Sequence, residues 1–415
     1  MAIRTILRTF KLLIFFVMMI IINISKIKST VTEIKIESEV VTQNIEKFAV
    51  KNKAEIEKEI KLLLEKYLPK NGPGGSIAVF QDGEPLVKIS HGFENMQTKT
   101  PITENTRFDM ASVSKHFTGA AILLLHQDKT INLTDEIMKL LPEFKHLKTK
   151  RPILIKDLVY MIEGFADYTE LVPEGKEGTY TNEQDVKLVI EEPLNFPVGN
   201  KYDYSNTAYM LLALIVKRAS NGLWSEFLSK RIFSPLNMEA HALDHKRDFE
   251  YVQGYKKAKG KYRPTREETT YSYGDGNVFL SINDFEKWEK SLIQNTILSK
   301  ELLELAYTPG KLDSGKLTDY GFGMEVGKDK RGKFVEHTGG WEGTTTIIHR
   351  WLDQGISYAF FVNIDDFSTE NITDRLDNII FYSADLNKTE VEIEAEKAEK
   401  KMENEVSHLK FLSIS

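Results

Sequence analysis

Residues Tyr209-Met210-Leu211-Leu212-Ala213-Leu214-Ile215-Val216 are apolar on every side. A helix without a polar stripe cannot lie on a surface, so this segment reads as a fully buried helix with other elements wrapped around it. A second apolar run, Phe117 to Leu125, contains Ala120, Ala121, Leu123 and Leu124 and reads as another buried helix. A chain of 415 residues, 41% hydrophobic, is long enough to bury both.

Each apolar run has a polar motif at its head. Ser112-Val113-Ser114-Lys115 precedes the first and Tyr204-Ser205-Asn206 precedes the second. Neither pattern is unique: S-x-x-K recurs at Ser25 and Ser407, and Tyr-x-Asn at Tyr180. Context chooses between the copies. Ser25 lies in the N-terminal targeting region, Ser407 near the C-terminus, and Tyr180 among Glu174, Lys176, Glu177 and Glu183. Ser112 is placed in the first turn of the helix, where it shares a face with Lys115 three residues on. Amides of a first turn are unpaired and carry the positive end of the helix dipole, which favours a developing negative charge. Tyr204 follows the turn signal Phe196-Pro197-Val198-Gly199, so its motif sits in a loop pinned to the core.

A third motif, His337-Thr338-Gly339-Gly340, follows a charged turn and the strand-like start Phe334-Val335. Thr344 to Ile348 and Ser357 to Val362 are β-branched or aromatic, so the region reads as antiparallel hairpins. Glycines beside a strand let another backbone approach closely, as a substrate pairing along a strand edge requires.

Together these motifs resemble the family of serine β-lactamases and penicillin-recognising D-alanyl-D-alanine carboxypeptidases. The likeness is closest to the branch containing class C β-lactamases, D-aminopeptidases and related esterases. It extends to Gly75-Ser76-Ile77-Ala78-Val79-Phe80-Gln81-Asp82-Gly83, similar to the family's opening hairpin, and to Thr106-Arg107-Phe108 ahead of the serine. Gly274-Asp275-Gly276-Asn277, followed by Ser281-Ile282-Asn283-Asp284 and Trp288, resembles a strand-to-helix turn, and Tyr320-Gly321-Phe322-Gly323 a later strand. The resemblance covers about residues 52 to 384. It implies an α+β fold: an antiparallel sheet flanked by helices, built from both ends of the domain, plus an all-helical lobe inserted between Ser112 and about residue 280.

The implied chemistry is acyl transfer through a Ser112 ester. Lys115 and Tyr204 are the two proton carriers, and the resemblance leaves open which is the base. Asn206 would orient Lys115 and bind the substrate amide. His337 would supply a donor or partial positive charge near the substrate carboxylate or Tyr204. Thr338, Gly339 and Gly340 would form the substrate strand, with the Ser112 and Gly340 amides as the oxyanion hole. No metal or cofactor is required. The expected substrate is a D-amino-acid-containing peptide or related small molecule, cleaved by a peptidase or carboxypeptidase-like amidase. An esterase with weak β-lactamase activity and a non-catalytic binding homologue are the alternatives.

Two departures bear on this. The third motif starts with His337 where most β-lactamases have lysine, which moves the expectation away from antibiotic hydrolysis. Where the family often has His-Thr-Ser-Gly, this chain has Met161-Ile162-Glu163-Gly164. That change either reshapes the pocket or repacks the core.

Charge and composition narrow the partners. A net charge of −6 with both signs interspersed gives no electrostatic case for nucleic acid. Zero cysteines exclude disulfides and thiol catalysis, and fit an oxidising compartment. Arg4, Arg8 and Lys11 precede an apolar run from Leu12 to Ile22, the pattern of a secretory signal or an uncleaved anchor. The expected organisation is a signal peptide or membrane anchor at 1–28, a linker at 29–51, the hydrolase domain at 52–384 and a charged tail at 385–415. The expected location is secreted or extracytoplasmic, with membrane attachment if the N-terminal segment is retained. Residues 52–68, with Ile56, Ile60, Leu63 and Leu64 at helical spacing, read as an amphipathic helix opening the domain. Glu163 to Glu183, charged and glycine-bearing, reads as a plain surface loop, with a flap over the site as the alternative.

Overall fold

Residues 48–382 are described by a computed structural model, apart from 174, 175, 177, 178, 245–248, 266–270, 366 and 368. The N-terminal apolar segment, most of the 29–51 linker and the charged tail lie outside the described residues.

The domain opens with α1 (Lys53–Tyr67), which starts on an Asn52–Glu55 capping box and buries Ile56, Ile60, Leu63 and Leu64. The hairpin β1 (Gly75–Gln81) and β2 (Glu84–His91) follows. Next come α2 (Ser114–Gln127) and α3 (Asn206–Ser220), the two apolar runs. Thr207 to Val216 are all buried in α3, as a helix without a polar stripe demands. Its N-cap Ser205 accepts the Ala208 amide at 3.0 Å, and Asn221 ends it in the left-handed conformation at φ 54°. Then follow α4 (Ile282–Gln294), β3 (Glu325–Asp329), β4 (Gly332–Trp341), β5 (Thr344–Trp351), β6 (Ile356–Val362) and α5 (Thr369–Ile380).

The main sheet has the order β3-β4-β5-β6-β1-β2. The β4–β5, β5–β6, β6–β1 and β1–β2 pairs are antiparallel. Ala78 pairs with Ala359 and Ser76 with Phe361, so strands from the two ends of the domain lie side by side. Alternation then sorts the side chains. Ile77, Val79, Ile347, Tyr358 and Phe360 pack with α1 and α5 on one face. Ala78, Phe80, Ile348, Ala359 and Phe361 join α2, α3 and α4 on the other. Between the layers, Glu289 of α4 pairs with Arg350 of β5 and accepts Ser357 Oγ of β6 at 2.8 Å. The fold is mixed α and β, with the sheet flanked by helices and a helical lobe between α2 and α4.

The 163–183 stretch is not the plain surface loop its charges suggest. Glu163, Tyr168 and Asn182 are buried, and a short helix spans Tyr168–Leu171.

Candidate active site

Ser112 lies one step earlier than expected. It occupies a 3₁₀ turn, Ala111–Val113, that leads into α2 rather than the first turn of the α-helix itself. Ala111 has φ 44°, a left-handed conformation that costs an alanine about 1–2 kcal/mol. The Asp109 carboxylate helps hold it, accepting the Ala111 amide at 2.8 Å. Strain of this kind next to a reactive side chain is a feature of functional turns, and nothing in the local sequence announces it.

Lys115 is fully buried. Its Nζ lies 3.2 Å from Ser112 Oγ, 2.8 Å from Asn206 Oδ1 and 3.0 Å from the Asp275 carbonyl oxygen. Two of these partners can only accept; the serine hydroxyl can also donate. The site therefore accommodates an ammonium with three donated bonds, or a neutral amine whose lone pair faces the serine proton. Asn206 is fixed in turn as the first residue of α3, and its amide donates to Asp167 Oδ2 at 2.8 Å.

Tyr204 stands over the lysine, with Lys115 Nζ 4.9 Å from its ring centroid. The residue is 40% exposed, and its hydroxyl has no hydrogen-bond partner among the described residues. Its ring packs against Tyr320 and His337, with centroids 6.2 and 6.1 Å away.

His337 lies beside Tyr204, as the resemblance implied, but as a neutral imidazole rather than a source of positive charge. It is buried, its Nδ1 lies 2.6 Å from the Thr338 carbonyl oxygen, and its Nε2 lies 2.9 Å from Tyr320 Oη. The carbonyl can only accept, so Nδ1 carries the proton and Nε2 receives the tyrosine hydroxyl. Burial, with Lys115 nearby, pushes its pKa down to about 3. The imidazole is thus neutral, with both nitrogens bonded within the protein. Thr338 and Gly340 are exposed on β4.

Gly339 brings strand and serine together. A Cβ there would lie 2.4 Å from Thr346 Oγ1, 2.6 Å from the Met110 carbonyl oxygen and 3.1 Å from the Ser112 amide nitrogen. Only glycine allows that approach. A Cβ on Gly340 would meet nothing within 4 Å, so that residue opens on free space. β3 has five residues and β4 has ten, so the Thr338–Trp341 end of β4 runs past its neighbour. Its outer edge is unpaired among the described residues and available to an extended ligand.

The Met161-Ile162-Glu163 departure braces the Tyr204 loop from behind. Met161, at φ 52°, accepts the Asp203 amide on its carbonyl at 3.1 Å and the Ser205 amide on its sulfur at 3.3 Å. The Ile162 carbonyl accepts the Gly199 amide at 2.8 Å. Glu163 is 1% exposed, and burial pushes its pKa up to about 8. The segment is structural support for the site rather than a lining of it.

Asp275 and Tyr168 are not among the candidate site residues, although Asp275 lies in the Gly274–Asn277 run. Asp275 supplies the carbonyl under Lys115, while its carboxylate accepts Tyr168 Oη at 2.8 Å. The Gly-Asp-Gly-Asn run held the clue, but nothing in the sequence links it to α2 or to Tyr168.

The arrangement has counterparts in known proteins. A family model described as Beta-lactamase matches residues 63–379. Penicillin-binding protein 4* of Bacillus subtilis (strain 168) is 28% identical over 329 residues, 74% of this chain and 72% of its own. A D-aminopeptidase of Brucella anthropi is 27% identical over 314 residues; this chain spans 59% of that protein's length, and the match takes in 74% of this chain. The D-amino acid amidase of Ochrobactrum anthropi SV3, solved with D-phenylalanine, shares the fold at a TM-score of 0.66 and 21% identity, over 78% of this chain and 98% of that one. EstCE1, a hydrolase with promiscuous acyltransferase activity, does so at a TM-score of 0.68 and 16% identity, over 79% and 99%. With that match running from α1 into α5, the chain belongs to the β-lactamase family and is a serine hydrolase.

Proposed function

We propose that the chain cleaves amide bonds in small D-amino-acid-containing peptides or amides, with Ser112 as nucleophile and Lys115 as its base. The observation that carries this is a buried lysine amine 3.2 Å from the serine hydroxyl, its other two contacts being pure acceptors. Lys115 takes the Ser112 proton as Oγ bonds to the carbonyl carbon. The Ser112 amide lies in the 3₁₀ turn ahead of α2 and donates to the developing oxyanion together with the Gly340 amide. Tyr204 relays the proton to the leaving nitrogen as the C–N bond breaks. Water then attacks the ester, returns a proton through the same groups and frees Ser112.

The D-amino-acid preference is supported by the relatives, a D-aminopeptidase and a penicillin-binding protein. A neutral His337 argues for an aminopeptidase or amidase rather than a carboxypeptidase, because the third motif then offers no positive charge to a substrate carboxylate. The same neutrality favours an esterase as the second reading. We place the protein outside the cytoplasm, secreted or anchored, on the strength of Arg4, Arg8, Lys11 and the apolar run to Ile22. N-terminal sequencing of the protein from fractionated cells tests that placement: a cytosolic protein with an intact N-terminus would refute it.

Intact-mass analysis after exposure to a fluorophosphonate and, separately, to penicillin tests the chemistry. A stoichiometric adduct that disappears in Ser112→Ala is expected with the fluorophosphonate. D-alanine amide and p-nitrophenyl acetate then separate amidase from esterase. Folded protein that forms no adduct would defeat the catalytic reading.

A further inference from the structure

A buried cation usually has a carboxylate in contact. Lys115 does not. Its amine meets Ser112, Asn206 and the backbone of Asp275, while the carboxylate of Asp275 points elsewhere. That carboxylate is itself buried; Oδ2 accepts Tyr168 Oη at 2.8 Å and Oδ1 has no partner. A salt bridge between neighbouring opposite charges has been left unmade, and the surrounding structure keeps it so.

The backbone under Lys115 is locked. Gly274 has φ 104°, and a Cβ there would fall 2.3 Å from Ala213 Cβ and 2.6 Å from the Tyr209 carbonyl oxygen. Thr118 Oγ1 donates to the Gly274 carbonyl at 2.7 Å. Asn182 clamps Tyr273, accepting its amide at 2.8 Å and donating to its carbonyl at 3.0 Å. Tyr168 is fixed as well, its amide donating to Thr207 Oγ1 at 2.8 Å. Burial, then the nearby Asp275 charge, holds the Tyr168 hydroxyl in its neutral, donating form.

Four charged or titratable groups, from three helices, act on or feel Asp275. Burial pushes its carboxyl up and Asp167 adds to that, while Lys115 on α2 and the Tyr168 hydrogen bond draw it down. Asp185, in the helix Asn182–Val189, also feels the Asp275 charge. Only Lys115 among these is a cation, so it is the group to which a released Asp275 carboxylate would turn.

We propose that Tyr168 and Asp275 form a positioning pair for acylation: the tyrosine holds the aspartate's charge near Lys115 but off its amine, leaving that amine able to exist without its extra proton beside Ser112. The pair acts through Lys115 and touches no substrate. The inference rests on Ser112 and Lys115 being nucleophile and base.

The test is the rate of fluorophosphonate adduct formation at Ser112 against pH, in the full chain and in Tyr168→Phe, Asp275→Asn and the double variant. Removing the tyrosine hydroxyl frees the carboxylate to bridge Lys115. The acid limb of the profile then moves to higher pH by about one unit, a loss of rate of roughly fivefold at the old midpoint that approaches tenfold well below it. Removing the aspartate charge moves the limb the opposite way. The double variant follows Asp275→Asn, because the tyrosine has nothing left to restrain. Thermal unfolding confirms that each variant is folded, and Asp275→Asn alone decides the sign if the phenylalanine variant does not fold. Limbs that stay put, or that move in the same direction in both single variants, overturn the pair's role while leaving the nucleophile intact. A wild-type chain that forms no adduct overturns the underlying reading and the pair with it.

Discussion

Lys115 Nζ donates to Asn206 Oδ1 across 2.8 Å, which ties the start of α2 to the first residue of α3. The bond sets the direction of the amine toward Ser112. Loss of a hydrogen bond to a charged or ionisable partner in a buried site costs about 1.5–3 kcal/mol. Asn206→Ala is therefore expected to slow acylation on the order of 10- to 100-fold, read by single-turnover adduct formation. An unchanged rate would mean the lysine is aimed by its other two contacts.

Gly339→Ala is expected to be more damaging. Its new methyl would collide with Thr346 Oγ1 and the Met110 carbonyl and press on the Ser112 amide. Displacing one oxyanion donor costs about 100- to 1000-fold in rate. Adduct formation on folded Gly339→Ala, checked by circular dichroism, should fall into that range, whereas Gly340→Ala, facing open space, should remain folded to the same temperature as wild type.

Glu163 makes stability depend on pH. Its carboxyl is held protonated to about 8 in the fold, against an ordinary 4.5. Below the lower value both states are protonated and there is no penalty. As pH rises toward 8 the unfolded chain ionises and the folded one does not, so stability falls through that window and then levels. Glu163→Gln keeps the shape without the charge. Its melting temperature should exceed wild type by a margin that grows from pH 5 to pH 8; a constant margin would show that the carboxyl is not the titrating group.

Ala111 stores strain at φ 44°. Ala111→Gly removes about 1–2 kcal/mol of it and pays back about 0.5–1 kcal/mol in unfolded-state entropy. A rise of about 1–3 °C in the unfolding midpoint is expected. Ala111→Val, β-branched in the same conformation, should lower the midpoint instead.

What the sequence revealed depended on range. The burial of α3 could be read from eight consecutive apolar residues, and α1 from the spacing of Ile56, Ile60, Leu63 and Leu64, because both are local patterns. Ser112, Lys115, Tyr204 and Asn206 announce themselves through short motifs at helix heads. The neutrality of His337 could not be read, since it follows from burial beneath Tyr320 and from a charge on α2. Asp275 and Tyr168 were equally silent, lying 107 positions apart in the chain. Glu163 looked solvated by its charged neighbours, yet its side chain faces inward against the Tyr204 loop. Local composition cannot say which side of a loop the core will claim.

The pairing of β1 with β6 has a consequence for how the protein matures. Ser112 and Lys115 are synthesised long before Gly339, yet the amide that the serine needs from β4 is set in place only when β5 and β6 close the sheet onto β1. Contacts of such long sequence separation form slowly. Until then the serine lacks the packed surroundings that bury Lys115 beside it, and it is chemically silent during synthesis. Covalent labelling of Ser112 would therefore count finished molecules, which makes the reaction a clock for the last step of folding.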